Sequence, residues 1–271
     1  MPEDIKSKKK EERKESKIKK AWDKIKKPLA TGILAGGLLL SPVQKAESIG
    51  FRSPRGPPTY ASEVIEKEYK IGWRFLIEGK KKVQERGNSW VYYDAAINYF
   101  KNAYEKDKKL ESLYLWAYSV YSRAANDPTF EQTEKRVMEA LELVGKRLKE
   151  VPNDFDFIDL KQIIFYNLAE MYYDAYNHLP DYHEDIDESK LDFYKQKSIE
   201  YCNKWLEFYN DISERWDKID KYLFKELSYT KEDVEIVKKD FKEGYAKREE
   251  KVKKMLNELT SVTVQIFTRP R

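Results

Sequence analysis

Side chains that could hold a metal or move a proton are concentrated in one short stretch of this 271-residue chain. The run NHLPDYHEDIDE, from Asn177 to Glu188, contains both histidines of the chain, His178 and His183, and five carboxylates. Imidazole together with carboxylate is a ligand set for zinc and other divalent ions. The spacing argues for something plainer. His178 and His183 flank Pro180 and do not stand one helical turn apart, and the alternating oxygens and glycine of a calcium loop are missing. A solvated acidic loop that caps the next helix is expected, with no cofactor. The single cysteine, Cys202, cannot close an intramolecular disulfide, and its position in a helical pattern suits an inert buried thiol. With no glycine-rich phosphate loop and no G-x-S-x-G turn in the chain, catalysis is not expected.

The charge pattern separates the ends of the chain. Residues 1–27 carry twelve Lys+Arg and six Asp+Glu, a net of +6, and the remaining residues carry 40 basic and 42 acidic groups, a net of −2. A nucleic-acid binder needs a basic stripe on its folded body. Here the basic excess belongs to the tail, so no nucleic-acid partner is expected. The 37% charged fraction stands beside 38 aromatic rings (20 Tyr, 12 Phe and 6 Trp), which predicts a folded chain with a sizeable core.

Behind the basic tail, residues 28–43 (PLATGILAGGLLLSPV) are uncharged. A lysine-rich flank, an apolar run and a Ser/Pro/Ala stretch follow the order of a secretory signal peptide or a signal anchor. The apolar run is shorter than the roughly 20 residues that span a bilayer as a helix, which favours cleavage. Gln44 in front of the small-residue cut after Ala46 argues the other way. Segment 28–46 is therefore read as a signal peptide or membrane anchor, with a buried apolar helix as the remaining alternative. In the first two cases residues 1–27 stay in the cytoplasm and the body lies outside it, as a secreted, periplasmic or single-pass anchored module. Residues 47–60, rich in Pro and Gly, read as a linker.

From there the chain predicts an all-α domain over 61–260. Only Gly145 and Gly244 interrupt residues 91–271, and the long stretches between them are rich in helix formers. Breakers and caps divide it into helices near 62–85, 90–107, 110–125, a fourth opened by Asp127-Pro128 and closed at Val151-Pro152, 155–178, 189–209, 213–227 and 231–259. Thr230-Lys231-Glu232-Asp233 reads as a capping box. The end of the chain, residues 261–271, alternates β-branched and other residues and reads as a strand-like or flexible tail.

One spacing recurs at three helix ends. Ala96, Phe100 and Ala103 precede Lys108; Ala140, Val144 and Arg147 precede Pro152; Ser198, Cys202 and Trp205 precede Asn210. A small residue, then contacts four and seven positions on, shares one helical face and lets helices approach closely. AINYFKNAYEKDKK and ALELVGKRLKEVPND thereby resemble the second helix of a tetratricopeptide repeat (TPR), and Gly72, Ala117 and Ala169 fit the small position of the preceding helices. The small residues of each pair lie 24, 23 and 29 positions apart, well beyond the family's spacing, so the resemblance implies an irregular TPR-like α-solenoid of antiparallel helix pairs over about 60–210. Arg147 and Lys108 stand where the family's pattern has Ala and Pro.

The resemblance implies an inner face that binds a polypeptide, lined by first helices at −3, +1 and +4 from the small residue. Those positions hold Tyr69, Trp73 and Leu76; Tyr114, Tyr118 and Tyr121; and Tyr166, Glu170 and Tyr173. Tyrosine offers a rigid apolar ring with a polar tip, a common partner-binding chemistry. The expected function is an exported or membrane-tethered interaction scaffold. A small-molecule (solute) binding helical component outside the cytoplasm, and an intracellular helical scaffold, are the alternatives. Packing between long helices would use the same tyrosines.

Overall fold

The computed structural model describes residues 63–85, 89–127, 129–178, 188–226 and 229–261. The basic tail, segment 28–46, the linker 47–60, the acidic loop with His183 and the strand-like tail beyond Ser261 lie outside the described residues. Among the described residues the protein is all-α: α1 (Glu63–Gln84), α2 (Trp90–Asp107), α3 (Leu110–Ala124), α4 (Phe130–Glu150), α5 (Phe155–His178), α6 (Glu188–Glu214), α7 (Trp216–Lys225) and α8 (Lys231–Ser261). No helix among the described residues is long and apolar enough to cross a membrane.

Sequential helices pack as neighbours, α1 on α2, α3 on α4 and α5 on α6, and each pair stacks on the next to give a solenoid-like fold. The long α8 returns to lie against α5, α6 and α7. Small residues sit at the close approaches. Ala96, Ala117, Ala140, Ala169 and Ser198 are fully buried, and the Ser198 hydroxyl donates to the Ala169 carbonyl at 3.0 Å, joining α6 to α5. At Gly72 a methyl group would lie 3.0 Å from Tyr99 Cβ and 3.1 Å from Phe100 Cε1, so α2 crosses α1 where only hydrogen fits without a shift.

Local chemistry explains the ends. The α2 helix stops at Lys108, whose left-handed backbone (φ 57°) lets its N–H donate to the Tyr104 carbonyl at 2.8 Å. The Thr230 box closes as expected: the Asp233 N–H donates to Thr230 Oγ1 at 3.2 Å and the Thr230 N–H to Asp233 Oδ2 at 3.0 Å. Two ends differ from the sequence reading. The cap of α4 is Thr129, whose Oγ1 accepts from the Gln132 N–H at 3.2 Å. Asp127 instead accepts from Arg123 at 2.7 Å and from Arg136 at 2.8 Å, a charged clasp that outweighs a capping role. The α6 helix runs past residue 209 to Glu214 because Ile212 is fully buried there, and tertiary packing overrides the weak breaker Asn210-Asp211.

Candidate functional site

The nine inner-face positions come from α1, α3 and α5, and none is exposed. Leu76, Tyr118, Tyr121 and Tyr166 are buried; Tyr69, Trp73, Tyr114, Glu170 and Tyr173 are half-buried. On α1, Tyr69 meets Phe100 of α2 edge-on at 5.8 Å, and Trp73 packs against the core. On α3, Tyr114 stacks on Tyr118 at 6.2 Å and sets its edge on Phe157 of α5 at 5.6 Å. Lys80 of α1 lies over the Tyr118 ring at 4.8 Å, and the Tyr121 hydroxyl accepts from the Asn167 amide of α5. Ring and amide contacts thus join the α3 residues to α5, and Lys80 joins α1 to α3. Burial, with the carboxylates Asp156 and Asp159 nearby, holds the Tyr114 phenol far above its ordinary range, so this hydroxyl acts as a neutral donor or acceptor.

The α5 end of this face is occupied by the chain itself. Along α8, residues 245, 248, 251/252, 255 and 258/259 recur at helical spacing and meet the α5 row. The Tyr245 hydroxyl donates to Asp159 at 3.3 Å; Arg248 lies 5.8 Å from the Tyr166 ring and 5.6 Å from the Tyr245 ring. Lys251 stands 3.6 Å from Glu170, which also accepts from the Tyr166 hydroxyl, and the Tyr173 hydroxyl donates to Glu258. Buried Val252, Met255 and Leu259 supply the apolar part of the seat. The exposed Lys251 pair is worth about 0–1 kcal/mol; the buried rings and aliphatics hold the helix.

The sequence reading had no role for α8, although a signal is present. Phe241, Tyr245 and Arg248 stand at −3, +1 and +4 from Gly244, the same spacing used to select the nine positions on α1, α3 and α5. The glycine is buried, and Phe241 lies against Trp216 of α7 at 4.8 Å and Phe155 of α5 at 5.7 Å.

Asp159, 5% exposed, gives this seat a pH dependence. Burial pushes its carboxyl up to about 7, with Arg248 and the Tyr245 hydroxyl opposing. A carboxyl raised above its unfolded value of about 3.9 favours folding most at acidic pH, and that contribution is lost as pH rises through about 7. Between pH 5 and pH 8 the urea midpoint of the parent is expected to fall further than that of D159N. Equal slopes in the two proteins would remove Asp159 as the cause.

Other chemistry-bearing residues stay apart from this face. Cys202 is fully buried, and burial pushes its thiol up to about 12, an unreactive state. His178 is half-buried at the end of α5, and among the described residues no three His, Cys, Asp or Glu stand together as a metal site. The chain matches no protein-family model, no curated protein and no solved structure.

Proposed function

We propose that the helical body is a TPR-like interaction scaffold that holds a polypeptide on the aromatic face of α1, α3 and α5. In this reading the segment 28–46 exports or anchors the body, which works outside the cytoplasm. The observation that carries the proposal is α8: the tyrosine row of α5 already holds a helix, through ring–guanidinium contacts, phenol–carboxylate hydrogen bonds and buried aliphatics. A helix laid across a groove by residues at i, i+3 and i+7 is a recurrent mode of polypeptide recognition. The same residue types continue along the face onto α3 and α1, with half-buried Tyr114, Trp73 and Tyr69.

A photo-reactive phenylalanine analogue at position 114 or 73, in cells that make the full chain, tests this. It is expected to capture a defined polypeptide, whereas the same group at exposed Glu139 on α4 captures none. The same product from all three positions, or products within the chain alone, would remove the inner face as the binding surface.

A further inference from the structure

Lys161, in the second turn of α5, is set apart from the other lysines by what surrounds its amine. Its Nζ lies 4.4 Å from the ring centre of Phe208 on α6 and 5.3 Å from that of Phe165, one turn further along α5. The two rings meet edge-on at 6.0 Å, so the half-buried lysine places its amine in an apolar notch. Asp211 and Arg215 follow Phe208 at i+3 and i+7 on the same helical face, and the Arg215 N–H still donates to the Asp211 carbonyl at 3.2 Å, in the helical pattern. The Asp211 carboxylate is taken by Arg215 at 3.0 Å, and the guanidinium is fixed by a second bond, 2.8 Å to the Pro152 carbonyl. Nε of Arg215 is buried and has no hydrogen-bond partner.

An ammonium in such a notch loses hydration and meets a fixed like charge. Burial first, and Arg215 second, hold the Lys161 amine below its usual range, with Asp211 opposing. Lys82 shows the contrast: paired with Glu85 at 2.8 Å, it is held above that range. A desolvated lysine beside another cation is an activated nucleophile, because more of it carries a free lone pair. The product that gains most from this site is an anion, since Arg215 offers a fixed charge and a vacant donor. An acyl group would leave a neutral amide there. Carbon dioxide is small and uncharged, enters an apolar notch without a counter-ion, and leaves an anion on the nitrogen.

We propose that Lys161 is a site of reversible modification by carbon dioxide, its side chain forming a carbamate on the side of α6 that carries Arg215. The amine lone pair forms the N–C bond, one C–O pair of carbon dioxide moves onto oxygen, and an N–H proton leaves to water. A lysine that carried at most a positive charge then carries a negative one at the α5–α6 contact. The site does not depend on the polypeptide reading, since it is tested on the purified chain with no partner.

Carbon-13 NMR of the full chain under labelled carbon dioxide and bicarbonate near neutral pH provides the test. The α-amino group of the chain forms a carbamate of its own, so a second carbamate resonance is expected beside it. K161R should abolish the second resonance and keep the first, and R215Q should weaken it severalfold, because the lost cation both lets the amine keep its proton and leaves the carbamate without a counter-charge. Trapping the carbamate in the unaltered chain with a trialkyloxonium reagent, followed by peptide mass spectrometry, reads the position without any substitution, and the alkylated carbamate is expected on Lys161. The proposal is overturned if the parent shows no resonance beyond that of the α-amino group, if the second resonance survives in K161R or keeps its full strength in R215Q, or if the trapped group lies on other lysines and not on Lys161.

Discussion

Replacing Arg147 with Ala is expected to cost about 3–5 kcal/mol of stability at neutral pH, the usual loss when one member of a buried ion pair is removed. The Arg147 and Asp154 side chains are 8% and 5% exposed and lie 2.8 Å apart, linking the end of α4 to the start of α5. The Tyr222 hydroxyl of α7 and the Phe157 N–H in the first turn of α5 also favour the ionised Asp154 carboxyl. Without the guanidinium, a carboxylate stays buried with only these neutral donors. Burial already raises the Asp154 carboxyl, and Arg147 opposes that rise. Removing Arg147 therefore raises it further, and the deficit of the variant should shrink as pH falls and Asp154 takes up a proton. Urea unfolding at pH 7 and pH 5 reads both effects; a loss below about 1 kcal/mol at pH 7 would mean the pair is not buried as described. Pairing R147M with D154N should recover part of the loss, because it removes the uncompensated charge along with its partner.

The Phe241→Ala substitution is expected to cost a similar amount, about 3–5 kcal/mol, by leaving a cavity where three helices meet. Phe241 is 1% exposed; its ring lies 3.7 Å from Tyr245, 4.8 Å from Trp216 and 5.7 Å from Phe155, so it joins α8 to α7 and α5. In a solenoid-like stack each helix pair depends chiefly on its neighbours, so the damage should be local. Hydrogen exchange in F241A is expected to accelerate across α7 and α8 while amides of α2 and α3 keep their protection. Uniform acceleration through all eight described helices would show a single cooperative unit instead.

These two positions mark how far the sequence could be read. The helix ends at Asp107-Lys108 and Val151-Pro152 and the Thr230 box were legible because breakers and caps act within a few residues. The small residues Ala117, Ala140 and Ala169 were legible for a related reason: a close helix crossing leaves a local gap in side-chain size. Arg147 looked like a departure from an expected small residue because its partner, Asp154, becomes one only when the chain turns between α4 and α5. The role of α8 was hidden at longer range. Its Tyr245 and Arg248 gain meaning from Asp159 and Tyr166, more than 80 residues earlier, and no local rule connects them. The tyrosines of the inner face were selected by spacing, but spacing cannot separate a ring that packs from a ring that binds. Tyr121, at 1% exposure, belongs to the interior, whereas Tyr114 and Trp73 keep part of their surface.

Binding of a polypeptide on the α1, α3 and α5 face is read by amide hydrogen exchange of the full chain with and without the polypeptide captured through position 114. Added protection is expected in α1, α3 and α5, with α2, α4 and α6 unchanged. Protection gained on α2, α4 and α6 while α1, α3 and α5 stay as they were would contradict it.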